Sequence, residues 1–289
     1  MFKTILRKIF YSLPPSLRFA ARRGYYFPLD VWALLSGTRH PLTPPRGLVY
    51  TGSGDFQAQA DKMLRFFVTK AGLQTDHAVL DIGSGIGRMA IPLTRYLDRN
   101  GTYQGFDVVK LGVRWCQRHI SKGFPNFQFQ YIPLKNDLYR ADGEDAAQFS
   151  FPYPAATFDF AIVISVFTHL LPAQVENYLC EIVRTLKPGG ICVATFFVLN
   201  EDAKERMPSN PAFSFPYDQG HYRLMDQKVQ SANVAFEASY LEEQLQRAGL
   251  SVQQQYPGYW CGRAKAECED FQDILVLQKR SVFFNVNDG

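Results

Sequence analysis

The segment Val79-Leu80-Asp81-Ile82-Gly83-Ser84-Gly85-Ile86-Gly87-Arg88 constrains this chain more than any other. Apolar residues run into an acid, glycine then recurs at every second position, and apolar residues return at helical spacing. That pattern predicts a buried parallel strand, a tight loop and a helix start. Glycine at 83, 85 and 87 lets the backbone take left-handed angles and lets a ligand lie against it with no Cβ between. The helix start brings unpaired N–H groups to the same place. The spacing is G-x-G-x-G rather than the G-x-G-x-x-G of dinucleotide sites, and no G-x-x-x-x-G-K-[ST] phosphate loop occurs in the chain. A strand-to-helix turn that binds nothing stays open as the alternative on this segment alone.

Other stretches narrow the choice. Upstream, Asp55 is placed to cap a helix that ends at Gly72. Downstream, Ile86 to Leu97 reads as a helix, although Pro92 inside it would cost about 3 kcal/mol unless the helix kinks. Thr102 to Asp107 reads as a second strand that ends in an acid 24 residues after Gly83. That is close to the ~20-residue distance at which a strand-end carboxylate accepts hydrogen bonds from a ribose. Residues 110–122 suggest a helix and Phe127 to Ile132 a third strand. Phe158 to Ile164 is a near-continuous apolar run, as in a strand covered on both faces. A helix over 172–186 follows, then the turn Leu186-Lys187-Pro188-Gly189-Gly190 and the apolar strand Ile191 to Leu199. From Asn200 to about Val234 the sequence is irregular and rich in aromatics. A helix capped by Gly249 and two strands, Leu250–Tyr256 and Asp270–Gln278, close the pattern.

Four markers in order, over roughly residues 79–199, resemble the class I S-adenosylmethionine (SAM)-dependent methyltransferases. They are the Gly loop, the acid Asp107, the Phe158-Asp159 pair that opens the fourth strand, and the Leu-Lys-Pro-Gly-Gly turn before the fifth. The resemblance implies an α/β fold: a doubly wound, seven-stranded, mostly parallel sheet with an antiparallel last strand and helices on both faces. Residues 51–289 would form that domain, with a substrate-side insertion at about 200–235, and residues 1–50 a basic helical N-terminal extension and linker. SAM is the implied cofactor. Asp81, Gly83, Ser84, Gly85 and Gly87 would hold it at the loop, Asp107 would bind ribose, Val108 would rest against adenine, and Ser165 would stand at the ligand-binding edge of the sheet. One departure stands out. Related enzymes often place an Asp just after the third strand for the adenine amino group, whereas this chain has Tyr131-Ile132-Pro133-Leu134. Adenine is then held either by backbone groups around Leu134 or by Asp137. The Gly52-Ser53-Gly54 loop either approaches the methionine end of the cofactor or is plain linker.

Methyl transfer from a sulfonium needs an acceptor held about 3 to 3.5 Å from the methyl carbon and few catalytic side chains. A hydroxyl acceptor benefits from a general base, and His169 and His221 are the candidates. The five histidines form no H-E-x-x-H pattern, so no metal is expected. Phe213, Phe215, Tyr217 and Tyr222 in the insertion suggest a small, partly apolar acceptor, or a lipid-linked one. The main domain has no basic stripe with interleaved aromatics, so nucleic acid is not expected. The Asn-Pro-Pro-Tyr type of motif found in DNA and glutamine N-methyltransferases is replaced here by Ser165-Val166-Phe167-Thr168. The expectation is therefore O-methylation of a small molecule, with N-methylation next. A SAM-binding scaffold that holds a membrane or partner without catalysis is the alternative. An NAD-dependent oxidoreductase is disfavoured by the glycine spacing and the Leu-Lys-Pro-Gly-Gly turn.

Charge is unevenly placed. Residues 1–50 carry eight basic side chains against the single acid Asp30, a net +7, while the whole chain sums to +4 and residues 51–289 to −3. Residues 2–11 put Phe2, Ile5, Leu6, Ile9 and Phe10 on one helical face and Lys3, Arg7 and Lys8 on the other. Pro14-Pro15 stops that helix, and Ser16 to Arg23 suggests a second, short basic one. Residues 2–23 either lie peripherally on a membrane or pack as a lid on the domain. An acid-free, Arg-rich start also fits a mitochondrial presequence, which would place a eukaryotic protein in the matrix. Five cysteines without metal-like spacing suggest reduced thiols and a cytoplasmic setting. No apolar run reaches the ~18 to 20 residues that span a bilayer.

Overall fold

In the computed structural model, residues 15–50, 52, 54–136, 142–210 and 213–280 are described. Alternation along the strands decides the layering. In β1 (Ala78–Ile82), Leu80 and Ile82 enter one core and Val79 the opposite one, as successive side chains of a strand must. The same division runs through β2 (Thr102–Asp107), β4 (Phe158–Val163), β5 (Leu186–Phe196) and β11 (Asp273–Lys279), while the edge strands β3 (Phe127–Tyr131) and β10 (Leu250–Tyr256) leave much of one face exposed. These seven strands lie in the order β10-β11-β5-β4-β1-β2-β3. β1 through β5 run parallel, and β11 is antiparallel to both β5 and β10. The expected doubly wound seven-stranded sheet is present.

Two of the family markers meet in space. The Asp159 carboxylate accepts 2.9 Å from the Ala78 N–H and pairs at 2.8 Å with the Lys187 ammonium. Burial alone would raise this carboxyl, but those partners outweigh it and hold it below the usual carboxylate range. The Phe-Asp and Leu-Lys-Pro-Gly-Gly markers therefore clip β1, β4 and the start of β5 together.

Several expected boundaries shift. The helix read over Ile86–Leu97 begins only at Ala90 (α3, Ala90–Tyr96), so Pro92 sits in its first turn, where no intrahelical N–H is needed. α2 (Phe56–Ala71) is capped as read: Asp55 accepts from the Ala58 N–H at 2.8 Å, and Gly72 takes φ +73° at its end. The helix read over 110–122 is α4 (Lys110–Cys116), continued by a π turn over Gln117–Ser121. α5 (Pro172–Thr185) falls as read.

The segment read as irregular from Asn200 carries regular elements among its described residues. β6 (Val198–Leu199), α6 (Glu201–Arg206), the hairpin β7 (Tyr217–Asp218) and β8 (Tyr222–Leu224), and β9 (Val234–Glu237) build a second sheet in the order β6-β9-β8-β7. Asn200 caps α6 by accepting from the Ala203 N–H. Phe213 and Phe215 pack with Phe197, Trp260 and Phe271 in a small third core. Composition suggested a ligand-lining role for these rings, but Phe215 is fully buried among other rings. α7 (Ala238–Ala248) then returns the chain to the main sheet.

The N-terminal extension also departs from its reading. The helix expected over 2–11 lies outside the described residues. The second helix begins at Pro15 but runs to Leu35 (α1, Pro15–Leu35), through Gly24 and Pro28. Tertiary contacts hold it against those two breakers: the Asp30 carboxylate accepts from the Arg46 N–H at 2.7 Å and the Gly47 N–H at 3.0 Å, and Phe19 meets the Tyr50 ring edge-on. Leu42, Leu48 and Tyr50 pack on the main core, so this part of the stretch read as linker is fastened to the domain.

Candidate cofactor site

The Gly loop hangs from the end of β2. The N–H groups of Gly83 and Ser84 both donate to the Phe106 carbonyl, at 2.9 and 3.0 Å, and Gly85 N–H donates to the Asp107 carboxylate at 2.8 Å. The other Asp107 oxygen accepts from the Val109 N–H at 2.7 Å. Asp107 thus clips the loop and the start of α4 to one point. Gly83, Gly85 and Gly87 all take positive φ, +76°, +59° and +78°. Space is also short: a Cβ on Gly83 would run into the Val166 side chain, and one on Gly87 would reach Ile120 Cδ1 at 2.7 Å.

Two acids are buried here. Burial pushes the Asp107 carboxyl up to about 6, against the N–H groups of Val109, Gly85 and Val108 that favour its charged form. Burial pushes Asp81 up to about 7; the Tyr103 hydroxyl donates to it and works downward, and the charge of Asp107 works upward. Tyr103 is itself buried and stays a phenol, a fixed donor to Asp81. Ser84 is buried as well, and among the described residues its hydroxyl has no hydrogen-bond partner. An orphaned buried hydroxyl normally costs stability, so its presence in this loop fits a ligand that completes it.

Residues that sequence reasoning passed over complete the mouth of the site. Tyr50 packs against the loop and α4: a Cβ on Gly112 would run into both the Gly85 carbonyl and the Tyr50 hydroxyl. A glycine inside a helix costs about 1 kcal/mol against alanine, so Gly112 was the available sequence signal for this close approach. Arg88 donates to Gln59 at 2.8 Å, lies over the Phe56 ring and abuts Gly52, which brings Gly52 to the end of the Gly loop.

After β3, Leu134 is buried and half-buried Val108 packs on the same core. The Leu134 N–H donates to the Ile132 carbonyl, the Lys135 N–H donates to the Glu144 carbonyl, and Pro133 has none. The backbone donors of Ile132, Leu134 and Lys135 are therefore already engaged. Asp137 lies outside the described residues.

At the end of β4, Ser165 takes φ +57°, a left-handed angle costly for a residue with a Cβ and typical of functional turns. Its N–H donates to Thr195 Oγ1 at 2.7 Å and its hydroxyl to Gln272 Oε1 at 3.0 Å. Val166, in the same turn, borders Gly83 and so joins this turn to the cofactor loop. His169 closes the turn, with its N–H on the Val166 carbonyl. Its Nδ1 lies 2.9 Å from the Ser231 carbonyl, which only accepts, so Nδ1 carries the proton and Nε2 keeps a lone pair. Burial lowers its pKa, opposed by the Ser231 and Ala232 backbone, so the ring is neutral near pH 7. His221 sits elsewhere: exposed on the β7–β8 turn, it stacks on Tyr240, whose hydroxyl donates to Glu176 of α5. The structure brings His169, not His221, to the turn beside the Gly loop. Among the described residues no group of three or more His, Cys, Asp or Glu side chains could hold a metal ion.

A doubly wound sheet, a glycine loop after its first strand and a buried acid after its second define a nucleotide-cofactor-binding α/β domain. Residues 80–194 match the family described as methyltransferase domain. Sterol 24-C-methyltransferase of Yarrowia lipolytica is 26% identical over 241 residues, covering 80% of this chain and 57% of that protein. Fatty-acid O-methyltransferase of Mycolicibacterium smegmatis is 27% identical over 164 residues, 56% of this chain and 50% of that one. The chain thus spans about half the length of these curated relatives. A solved structure from Pyrococcus horikoshii OT3 superposes with a TM-score of 0.55 at 18% identity, over 80% of this chain and 93% of that one, which shows the shared fold. Residues 80–194 thus form a methyltransferase domain of the class I, SAM-dependent kind, which implies SAM as its cofactor.

Proposed function

We propose that this chain transfers the SAM methyl group to a hydroxyl of a small, largely apolar acceptor of the lipid class, with His169 as general base. SAM supplies an activated methyl that a lone pair displaces in line. The protein's part is to bind, orient and exclude water. The orphaned Ser84 hydroxyl and the Asp107 carboxylate would take the polar groups of the cofactor, and Val108 and Leu134 its adenine. The observation that carries the catalytic reading is His169. It is a neutral imidazole with Nδ1 fixed on Ser231 and stands in the turn that Val166 joins to the Gly loop. A base held so can take the hydroxyl proton at Nε2. Ser165 and Gln272 offer polar partners for the acceptor at the same edge.

The similarity to a fatty-acid O-methyltransferase supports an oxygen acceptor. The similarity to sterol 24-C-methyltransferases, which covers more of the chain, favours a carbon acceptor as the second reading. Titration with S-adenosylhomocysteine, followed by a screen of fatty acids and sterols for labelled-methyl incorporation, tests both. Ester or ether products support oxygen transfer, and C-methyl products the second reading. Binding without transfer to any acceptor would favour a SAM-binding scaffold.

A further inference from the structure

Among the described residues, eight of the ten large apolar side chains that stand exposed are on one element, α1: Leu17, Tyr25, Phe27, Leu29, Val31, Trp32, Leu34 and Leu35. Trp32 is 64% exposed, Phe27 65% and Leu35 81%. At about 100° per residue, the sides of this helix separate cleanly. Phe19, Tyr26, Asp30 and Ala33 fall on the side turned to the domain, in keeping with the contacts of Phe19 with Tyr50 and of Asp30 with Arg46 and Gly47. Leu17, Gly24, Phe27, Val31, Trp32 and Leu35 fall on the outward side, and no charged residue shares it. Arg18 and Arg23 lie along its edges, and Arg22 lies over the Tyr26 ring toward the domain. The cost of keeping so many large apolar groups in water is of the kind that marks an interaction surface.

We propose that the outward face of α1 docks on an anionic lipid bilayer, lying in the interface with its rings and leucines among the acyl chains and its arginines at the headgroups. Charge selects this occupant. The fourteen residues before α1 add Lys3, Arg7 and Lys8 and no acid, and they end where the helix begins. A second copy seated on this face would bring two such basic segments together, whereas anionic headgroups attract them. The geometry also gives docking a consequence. α1 rests on Tyr50, and Tyr50 rests on the Gly85–Gly112 contact, so the bilayer would lie beside the cofactor edge of the sheet.

The full chain is mixed with phosphatidylcholine vesicles containing about a quarter phosphatidylserine and floated on a density gradient. Trp32 is an internal probe, because Trp115 and Trp260 are buried. The wild-type protein is expected to float and its tryptophan emission to shift to the blue; raising the salt, which shortens the Debye length, weakens both. The double variant Trp32→Glu/Leu35→Glu should lose about tenfold or more of this partition. Its affinity for S-adenosylhomocysteine and its thermal midpoint should be unchanged, which shows the domain intact. Should the double substitution unsettle α1, Trp32→Ala/Leu35→Ala, which keeps helix propensity, should show the same loss. Wild type that stays at the bottom of the gradient, or variants that float as well as wild type, would overturn the proposal. So would a dimer in gel filtration that Trp32→Glu/Leu35→Glu dissociates, which would assign the face to a second copy.

Discussion

Changing the pH should move ligand affinity and folding stability of this protein in opposite directions, and the buried pair Asp81 and Asp107 sets the scale. Asp107 titrates at about 6 and Asp81 at about 7, both above an ordinary carboxyl. A carboxyl raised in the folded state stabilises the fold at low pH, where it is protonated in both states, and loses that contribution as pH rises through its folded pKa. Between pH 8 and 6.5 the two groups together should add about 1 kcal/mol to the stability of the ligand-free protein as pH falls. Below pH 6.5 His169, whose pKa is lowered in the fold, begins to oppose this, so the upper window is the informative one. The cofactor works the other way. In the proposed binding mode ribose hydroxyls donate to an ionised Asp107, so binding favours the charged form. If only that form binds, affinity for S-adenosylhomocysteine should fall about fourfold between pH 8 and 5.5 from this group alone. Urea denaturation of the ligand-free protein and calorimetric titration with S-adenosylhomocysteine, both across this range, measure the two trends. Asp81→Asn should flatten the stability trend, and Asp107→Asn the affinity trend. Affinity that stays constant, or rises, as pH falls to 5.5 would refute the assignment of Asp107 to the cofactor. Stability that falls between pH 8 and 6.5 would refute the claim that these acids are held charged at a cost.

Four further substitutions probe separate parts of the structure. Ser84→Ala removes a buried hydroxyl that has no partner among the described residues, so the ligand-free fold should be no less stable, while S-adenosylhomocysteine should bind about 1 kcal/mol more weakly by titration. Gly83→Val places a branched side chain at φ +76° and against Val166, and cofactor binding should vanish in the same assay. His169→Gln should lower kcat about a hundredfold or more with cofactor affinity unchanged, and the lost rate should carry with it a pH–rate limb. Asp273→Ala leaves the N–H groups of Gly258 and Val198 and the Trp260 indole without their buried acceptor, and should cost about 3 kcal/mol or more in urea denaturation.

The sequence carried the Gly loop plainly because what a tight, ligand-facing backbone requires is local: positive φ at 83, 85 and 87 restricts the residue type whatever surrounds it. The central strands β1 and β4 were legible for a similar reason, since they are covered on both faces and read as apolar runs. α1 was foreshortened because Gly24 and Pro28 are breakers by propensity, and the bonds that override them come from Asp30 to Arg46 and Gly47, sixteen and seventeen residues away. The insertion was misread for the opposite reason. Phe213 and Phe215 announce that something apolar is buried, but composition cannot say whether a ligand or Trp260 buries it, and here it is Phe197, Trp260 and Phe271.

The same distinction divides the family markers themselves. Asp159 and Lys187 are as regular a signature as the glycines, yet they meet each other at 2.8 Å and stabilise the register of β1, β4 and β5 without facing the cofactor loop. Asp107 looks like an equally ordinary strand-end acid in the sequence, but it holds both the Gly85 and Val109 N–H groups and is buried enough to titrate near 6. What separates the structural acid from the one proposed to bind the cofactor is the partner. Asp159 has a cation that holds its charge in place, whereas Asp107 and Asp81 have neutral donors and each other. A buried carboxylate with no cation at hand is the costlier arrangement, and it persists most naturally where a ligand's donors or charge will offset the cost. That reasoning needs three-dimensional neighbours, which the spacing of Asp107 after Gly83 does not supply.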